Sequence, residues 1–459
     1  MSHTLAAIPQ AVQRAVSRPE GLLCTSFAVL ILAGTAVLSM PQCQARGDVT
    51  VLDALFTSTS AVCVTGLIVV DTANDYSRTG QIVILILVQL GGLGIMTLTA
   101  LLLALVGARM SMRSAAALQS VFFQAAAARQ LKRTLLVILL LTVGMESAGY
   151  VLLVSAFRGR PDIPDPHFTA LFHAVSAFCN AGFSNRSTSL EAFRSNYGVL
   201  AVIAGLVIAG GLGYAVWIEL FGRLASRLRG RRPNPLNLSL HAMMALRVSL
   251  LLVAVGAAAI LVLGSTPRNN DAWSARIASA LFHSISARTA GFNTESIGAL
   301  PVPSLLVLVG LMFIGGSSGS CAGGVKTTTV AVWLATLRAL ARGRDDATLG
   351  ARRLPEDLSR RAVLLVGLAL AFVMVGALVL AIIETPRGAR FDQILFEQVS
   401  AFGTVGLSTG ITPGLAPASK AWIILSMFVG RLGPLTMTLV VLPHRRAAAR
   451  FPSEQVMIG

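Results

Sequence analysis

Charge is scarce in this chain. Of its 459 residues only 12% are Asp, Glu, Lys or Arg, about half the usual share of ~25%. Acid is scarcer still: 20 acidic residues stand against 37 basic ones, a formal net charge of +17. Aromatics make up 6%, and the five cysteines (Cys24, Cys43, Cys63, Cys179, Cys321) show no CxxC spacing. Each shortage excludes something. A chain that is 54% hydrophobic is not disordered. A nucleic-acid binder carries its basic residues on a large polar surface, which is missing here. The cysteines suggest neither a disulfide framework nor a zinc site. No cluster of His, Asp and Ser or of paired carboxylates recurs at one depth, which speaks against an integral-membrane enzyme such as a lipid transferase. What remains is a multi-spanning membrane protein whose charge sits in its loops.

Eight apolar runs are long enough to cross a bilayer, near 21–40, 80–106, 134–157, 198–221, 241–264, 302–340, 362–385 and 419–443. About 20 apolar residues suffice for one crossing. The first run follows a mixed 20-residue start without a clear small-residue cleavage site, so a cleavable signal peptide is not expected. The segments 1–20, 107–134, 222–240, 338–361 and 443–459 hold 22 basic and 6 acidic residues. The intervening loops hold 12 basic residues, offset by a nearly equal number of acidic ones. The positive-inside rule makes the first group cytoplasmic, with both termini inside. The large net charge is then a topology signal that needs no polyanionic partner.

Between successive runs lie four shorter segments near 51–62, 167–178, 274–287 and 391–402. They share one pattern: Phe-x-x-x-Ser-Ala, a few small residues, then Gly and Leu or Phe. The copies run Phe56 to Leu67, Phe172 to Phe183, Phe282 to Phe292 and Phe396 to Leu407; the third is one residue shorter. Phe-x-x-x-Ser is helical spacing, and the glycine ends the helix. A non-spanning segment at membrane depth must be helical or line a watery cavity. Each copy therefore reads as a short re-entrant helix followed by an extended strand. Four such strands about one axis offer rings of backbone carbonyls that can replace an ion's hydration shell.

These residues resemble the Trk/Ktr/HKT superfamily of potassium transporters over nearly the whole chain. Further stretches look like the Ktr membrane subunit in particular: Gln89-Leu-Gly-Gly-Leu-Gly-Ile-Met-Thr97, Gly210-Gly-Leu-Gly-Tyr214, Gly315 through Thr327, and Gly430-Arg-Leu-Gly-Pro-Leu-Thr436. The resemblance implies an all-α integral membrane fold. It consists of four membrane helix–pore loop–membrane helix repeats around a pseudo-tetrameric ion pore. The repeats would occupy 1–106, 107–226, 227–340 and 341–459. The filter strands would be Cys63-Val64-Thr65-Gly66, Cys179-Asn180-Ala181-Gly182, Arg288-Thr289-Ala290-Gly291 and Gly403-Thr404-Val405-Gly406. In the superfamily, Ser in place of the first filter glycine goes with sodium selectivity. Four glycines here point to potassium.

The sixth run is broken by Gly315, Gly316, Ser317, Gly319, Gly323 and Gly324, with Lys326 directly after. Glycine costs a helix about 1 kcal/mol per residue relative to Ala, so an unwound loop is expected over 314–327. The glycine spacing fails the P-loop pattern. In the resembled family this loop lies below the filter and gates flow. Lys326 and Arg431 are costly at membrane depth and become functional candidates. The resemblance suggests that Arg431 contacts the gate loop, donating to carbonyls freed by the unwinding. Glu146 and Glu219 either attract ions or pair with a basic neighbour. His173, His283 and Glu397 follow the repeat's Phe and are expected to brace the pore helices rather than bind metal. Asp53, Asp71, Asp392 and Glu397 either concentrate cations at the outer mouth or are solvated surface charge.

The chain is thus read as the potassium-translocating membrane subunit of an uptake system in a bacterial inner membrane. K+ is the substrate, Na+ a second candidate, and no organic cofactor is called for. A sodium- or proton-coupled symporter on the same pore stays open. Loops of about 20–30 residues cannot bury a core, so nucleotide control would come from a partner. The resemblance implies a homodimer and a cytosolic nucleotide-binding ring (RCK-type, KtrA-like). The basic loops could dock that ring or meet membrane lipid; no nucleic acid is expected.

Overall fold

The computed structural model describes residues 19–93, 128–230, 238–264, 273–344, 346–349 and 352–433. The expected cytoplasmic segments 1–18 and 107–127, the tail after Leu442 and the inner ends of the runs 80–106 and 419–443 lie outside them.

Helices α1 (Pro19–Leu38), α2 (Val51–Val62) and α3 (Arg78–Gly92) form the first group. The second is α4 (Ala128–Phe157), α5 (Pro166–Phe178), α6 (Tyr197–Leu212) and α7 (Tyr214–Leu228). The third is α8 (Leu240–Leu263), α9 (Trp273–Ser286), α10 (Val302–Phe313) and α11 (Thr327–Leu340). The fourth is α12 (Glu356–Glu384), α13 (Phe391–Gly403) and α14 (Pro417–Leu432). Between α11 and α12 a small antiparallel hairpin pairs β1 (Thr348–Leu349) with β2 (Arg352–Arg353), Thr348 opposite Arg353. Two-residue strands are too short to show a strand period, so this hairpin has no signal in the sequence.

The segments Leu135–Phe157, Leu240–Leu263 and Glu356–Arg387 are each long and apolar enough to cross a membrane alone. Their outward faces carry large exposed side chains: Leu139, Leu140 and Val143 on α4, Leu250, Leu251 and Val255 on α8, and Met374, Leu378 and Ile382 on α12. Exposed apolar area on this scale belongs to a protein covered by lipid.

The expected single span at 198–221 is corrected. The chain bends by 104° between α6 and α7, at Gly213, whose φ of 86° is in the left-handed region that favours glycine. Beyond it α7 exposes Ile218, Phe221, Leu224 and Leu228, an apolar stripe at helical spacing with Arg223 and Arg227 off it. That pattern suits a helix lying in the membrane interface. The interrupted run at 302–340 is, as expected, two helices with a non-helical break from Ile314 to Lys326.

The four short helices α2, α5, α9 and α13 form the centre. Each packs on helices of its own group and also on one from another: α2 on α14, α5 on α3, α9 on α6, and α13 on α10. These contacts close a cycle. The repeated Phe56, Phe172, Phe282 and Phe396 and the repeated Ala61, Ala177, Ala287 and Ala401 are all buried along these helices. The pattern in the sequence is therefore the buried face of each short helix.

Candidate functional site

After each short helix the backbone takes the same course. Val64, Asn180, Thr289 and Thr404 have φ of 57°, 58°, 76° and 47°, and two residues later Gly66, Gly182, Gly291 and Gly406 have φ of 88°, 68°, 77° and 92°. Left-handed conformations at non-glycine residues are uncommon. Four at equivalent positions are held by a shared device, the motif serine. Ser60, Ser176 and Ser400 carbonyls accept from the backbone N–H groups of Thr65, Ala181 and Val405, and Ser286 accepts from Ala290 and Gly291. The hydroxyls of Ser176, Ser286 and Ser400 donate to the carbonyls of Phe183, Phe292 and Leu407 at 2.7, 2.5 and 2.6 Å. Gly66 and Gly406 N–H donate back to Ser60 and Ser400 Oγ at 3.0 and 3.2 Å.

The four glycines meet in a ring. A Cβ added at Gly66 would strike the Ala181 carbonyl; at Gly182, the Ala290 carbonyl at 2.8 Å; at Gly291, the Val405 carbonyl; at Gly406, the Thr65 carbonyl. Each glycine thus faces the backbone of the next copy, and the fourth returns to the first. Cys63, Cys179, Ala290 and Val405 are fully or almost fully buried behind this ring. The Arg288 guanidinium points away from it, donating to the Ser249 carbonyl and hydroxyl on α8 at 3.3 and 3.0 Å. The C-termini of the four short helices end at the ring, and the negative end of each helix dipole favours a cation there.

A second repeated feature supports the strands from behind. His173 bonds to the Thr169 carbonyl and to Ser184 Oγ at 2.8 and 3.0 Å. His283 contacts Ser279 and accepts from Thr294 N–H. Glu397 accepts from Ser408, Thr409 and Thr412. Each ties its short helix to the chain leaving its own strand. Glu397 is therefore buried rather than at the mouth. Asp53 pairs with Lys420 at 2.9 Å and Asp392 with Arg390 at 2.6 Å. Of the four acids expected there, Asp71 alone lines the cavity of about 230 Å³ above the glycines, joined by Glu191. Glu191 was missed because its loop carries no repeat signal.

The break after α10 is anchored at its neck and its tip. Gly315 N–H donates to the Val325 carbonyl at 2.9 Å and Thr327 N–H to the Gly316 carbonyl at 3.1 Å. At the tip, Ser317 and Cys321 N–H donate to the Gly211 and Gly210 carbonyls, and Tyr214 N–H donates to the Gly319 carbonyl. Carbonyls at the end of α6, which helix termination leaves without partners, are thus satisfied by the break. Gly323 packs so closely on Thr404 that a Cβ would strike its side chain. The break therefore abuts the ring.

Lys326 and Arg431 both serve this segment, and Arg288 Nη2 also reaches its Gly315 carbonyl at 3.5 Å. Lys326 Nζ donates to the Ala322 carbonyl and, at 3.5 Å, to that of Gly323. Arg431 Nη1 donates to the Cys321 carbonyl, and its Nη2 to the Gly91 carbonyl at 2.5 Å. Cys321, Lys326, Arg431 and Tyr214 line a cavity of about 200 Å³. Glu219 acts elsewhere, accepting from Ser239 N–H and Oγ at the start of α8.

The chain is 35% identical over 451 residues to the potassium/sodium uptake protein NtpJ of Enterococcus hirae, spanning 96% of this chain and 97% of that one. It is 33% identical over 450 residues to the Ktr system potassium uptake protein B of Vibrio alginolyticus, spanning 95% and 94%. The crystal structure of the potassium transporter TrkH from Vibrio parahaemolyticus superposes with a TM-score of 0.69 at 21% identity, covering 96% of this chain and 86% of that one. That likeness speaks to the fold. The TrkH family model, described as a cation transport protein, matches residues 22–447. A fourfold backbone motif, a glycine-rich break beside it and full-length relatives lead to one conclusion: this chain belongs to the TrkH family of cation transport proteins.

Proposed function

We propose that this chain is the potassium-translocating membrane subunit of a bacterial uptake system. Its four repeats surround one pseudo-tetrameric pore in a single chain. The observation that carries this reading is the closed cycle of Gly66, Gly182, Gly291 and Gly406, each facing the backbone of the next. The strands Cys63–Gly66, Cys179–Gly182, Arg288–Gly291 and Gly403–Gly406 form the filter. Their carbonyls replace water around a dehydrated cation, and the short-helix dipoles favour its charge.

The break from Gly315 to Lys326 is the gate. It lies against Thr404 of the filter, and small residues let it repack at little cost. Lys326 and Arg431 hold it by donating to its carbonyls, so their charge is directed at the protein and not at the ion. The uneven loop charge supports cytoplasmic termini in the inner membrane, which makes the cavity above the glycines external. The homodimer and the cytosolic nucleotide-binding ring belong to this proposal through the likeness to Ktr-system proteins.

Growth of a potassium-uptake-deficient bacterium at limiting potassium tests the proposal. Rescue by this chain supports it; no rescue, even with a regulatory partner supplied, overturns it. Repeating the assay without sodium tests a second reading, sodium-coupled uptake, favoured by the potassium/sodium naming of the Enterococcus relative.

A further inference from the structure

The filter and the gate leave several buried carboxylates unused; Asp53, Glu295 and Glu384 are ion-paired, whereas Glu146 is not. Glu146 lies on α4 and is 9% exposed. It accepts from Gln89 Nε2 at 3.3 Å and from Cys179 Sγ at 3.9 Å. Neither partner is cationic, and among the described residues Glu146 makes no ion pair. A carboxylate buried without a positive partner is costly to keep ionised, and taking up a proton relieves that cost.

A route for the proton is present. A groove of about 500 Å³, open toward the lipid face at Val143 and Leu171, runs from Glu146 past Tyr150 to the polar groups at its outer end, Arg78, Asp165 and His167. It shares no lining residue with the cavities on either side of the ring. At its mouth Arg78 pairs with Asp165 at 2.6 Å, and Tyr150 Oη meets His167 Nδ1 at 2.9 Å. At its inner end the facing groups are Gln89 of α3 and Cys179 of the second filter strand, with Cys321 of the gate and Arg431 of α14 beyond.

The inner partners lead to the gate. Gln89 lies two residues before Gly91, whose carbonyl takes Arg431 Nη2, while Arg431 Nη1 holds the Cys321 carbonyl. Cys179 opens the second filter strand. A proton added to one carboxylate oxygen turns that acceptor into a donor. It releases either the Gln89 amide or the Cys179 thiol.

We infer that Glu146 is a proton-binding site outside the ion path, reached from its own external groove and coupled to the gate through Gln89 and Cys179. The coupling rests on the gate assignment above. Protonation loosens the end of α3 against Arg431, so uptake is faster in external acid. In proteoliposomes, rubidium uptake should rise about fivefold between external pH ~8 and ~5.5, within the usual range of coupling. Glu146→Gln should hold the acid rate at every pH, while Glu146→Asp and His167→Gln should keep the dependence. A flat wild-type profile overturns the coupling, as does a slope that persists in Glu146→Gln. A slope lost in His167→Gln makes that histidine the sensor instead. Difference infrared spectroscopy on the purified chain reads the site without transport. A carboxyl band should titrate in the wild type and vanish in Glu146→Gln, and its absence from the wild type overturns the site. A titrating band in a chain that moves no potassium would count against the transport reading alone.

Discussion

Arg431 donates through Nη2 to the carbonyl of Gly91 at 2.5 Å, although the two residues are 340 positions apart. The same guanidinium holds the Cys321 carbonyl. One side chain on α14 therefore joins the end of α3 to the glycine-rich break. A planar fork of donors suits bridging two carbonyls on separate elements.

Removing that fork should free the break. Charge-assisted hydrogen bonds contribute about 1.5–3 kcal/mol each, so Arg431→Ala should raise rubidium flux by roughly tenfold or more. Arg431→Lys should fall between, because an ammonium lacks the fork. Loss of flux with normal membrane expression would contradict the gate assignment.

The ring makes a prediction about ion choice. A side chain at Gly182 would reach the Ala290 carbonyl, 2.8 Å from the added Cβ, and one at Gly66 the Ala181 carbonyl. Gly66→Ser and Gly182→Ser should therefore disturb the carbonyl spacing and weaken discrimination of potassium over sodium. Relative uptake of the two ions is the measurement, and unchanged ratios would exclude these glycines from the filter.

Ser400 fastens the fourth strand with two side-chain hydrogen bonds, to Leu407 O at 2.6 Å and from Gly406 N–H at 3.2 Å. Ser400→Ala leaves the buried Leu407 carbonyl without this partner, at a cost of about 1–3 kcal/mol, and also frees the part-buried Gly406 N–H. The expected result is a lower Tm together with loss of selectivity. A stable variant with wild-type selectivity would show that the serine is dispensable.

Asp165 outside the spans supplies a pH prediction. The Phe168 N–H at 3.0 Å and then the Arg78 guanidinium at 2.6 Å hold its carboxyl below the usual carboxylate range. A lowered folded-state pKa adds stability above the unfolded value, and that stability is lost as pH falls through the folded one. Thermal unfolding in detergent should therefore show Asp165→Ala less stable than wild type at neutral pH. The gap should close as pH drops below the ordinary Asp value of about 4. A gap independent of pH would mean that the charge contributes nothing.

Much of the architecture was legible beforehand. Four copies of Phe-x-x-x-Ser-Ala announce a repeat because burial and helix-end bonding demand the same side chains each time. Five glycines within 315–324 announce a break because no helix tolerates them. The bend at Gly213 was not legible: α6 and α7 are both apolar enough to read as one run, and only the left-handed glycine and its contact with the break separate them. The fates of Asp53, Asp392 and Glu397 were equally hidden, since an acidic residue on a short helix looks the same whether it meets Lys420, Arg390 or three hydroxyls.

The sequence by itself determined the membrane class, the fourfold repeat, the glycine positions and the site of the break, because hydropathy, spacing and helix propensity are local. Only the tertiary structure decided that the four glycines close on one another, that Arg431 joins Gly91 to Cys321, and that Glu146 has a groove of its own. Those relations depend on which elements pack side by side, and residues hundreds of positions apart carry no local sign of their meeting.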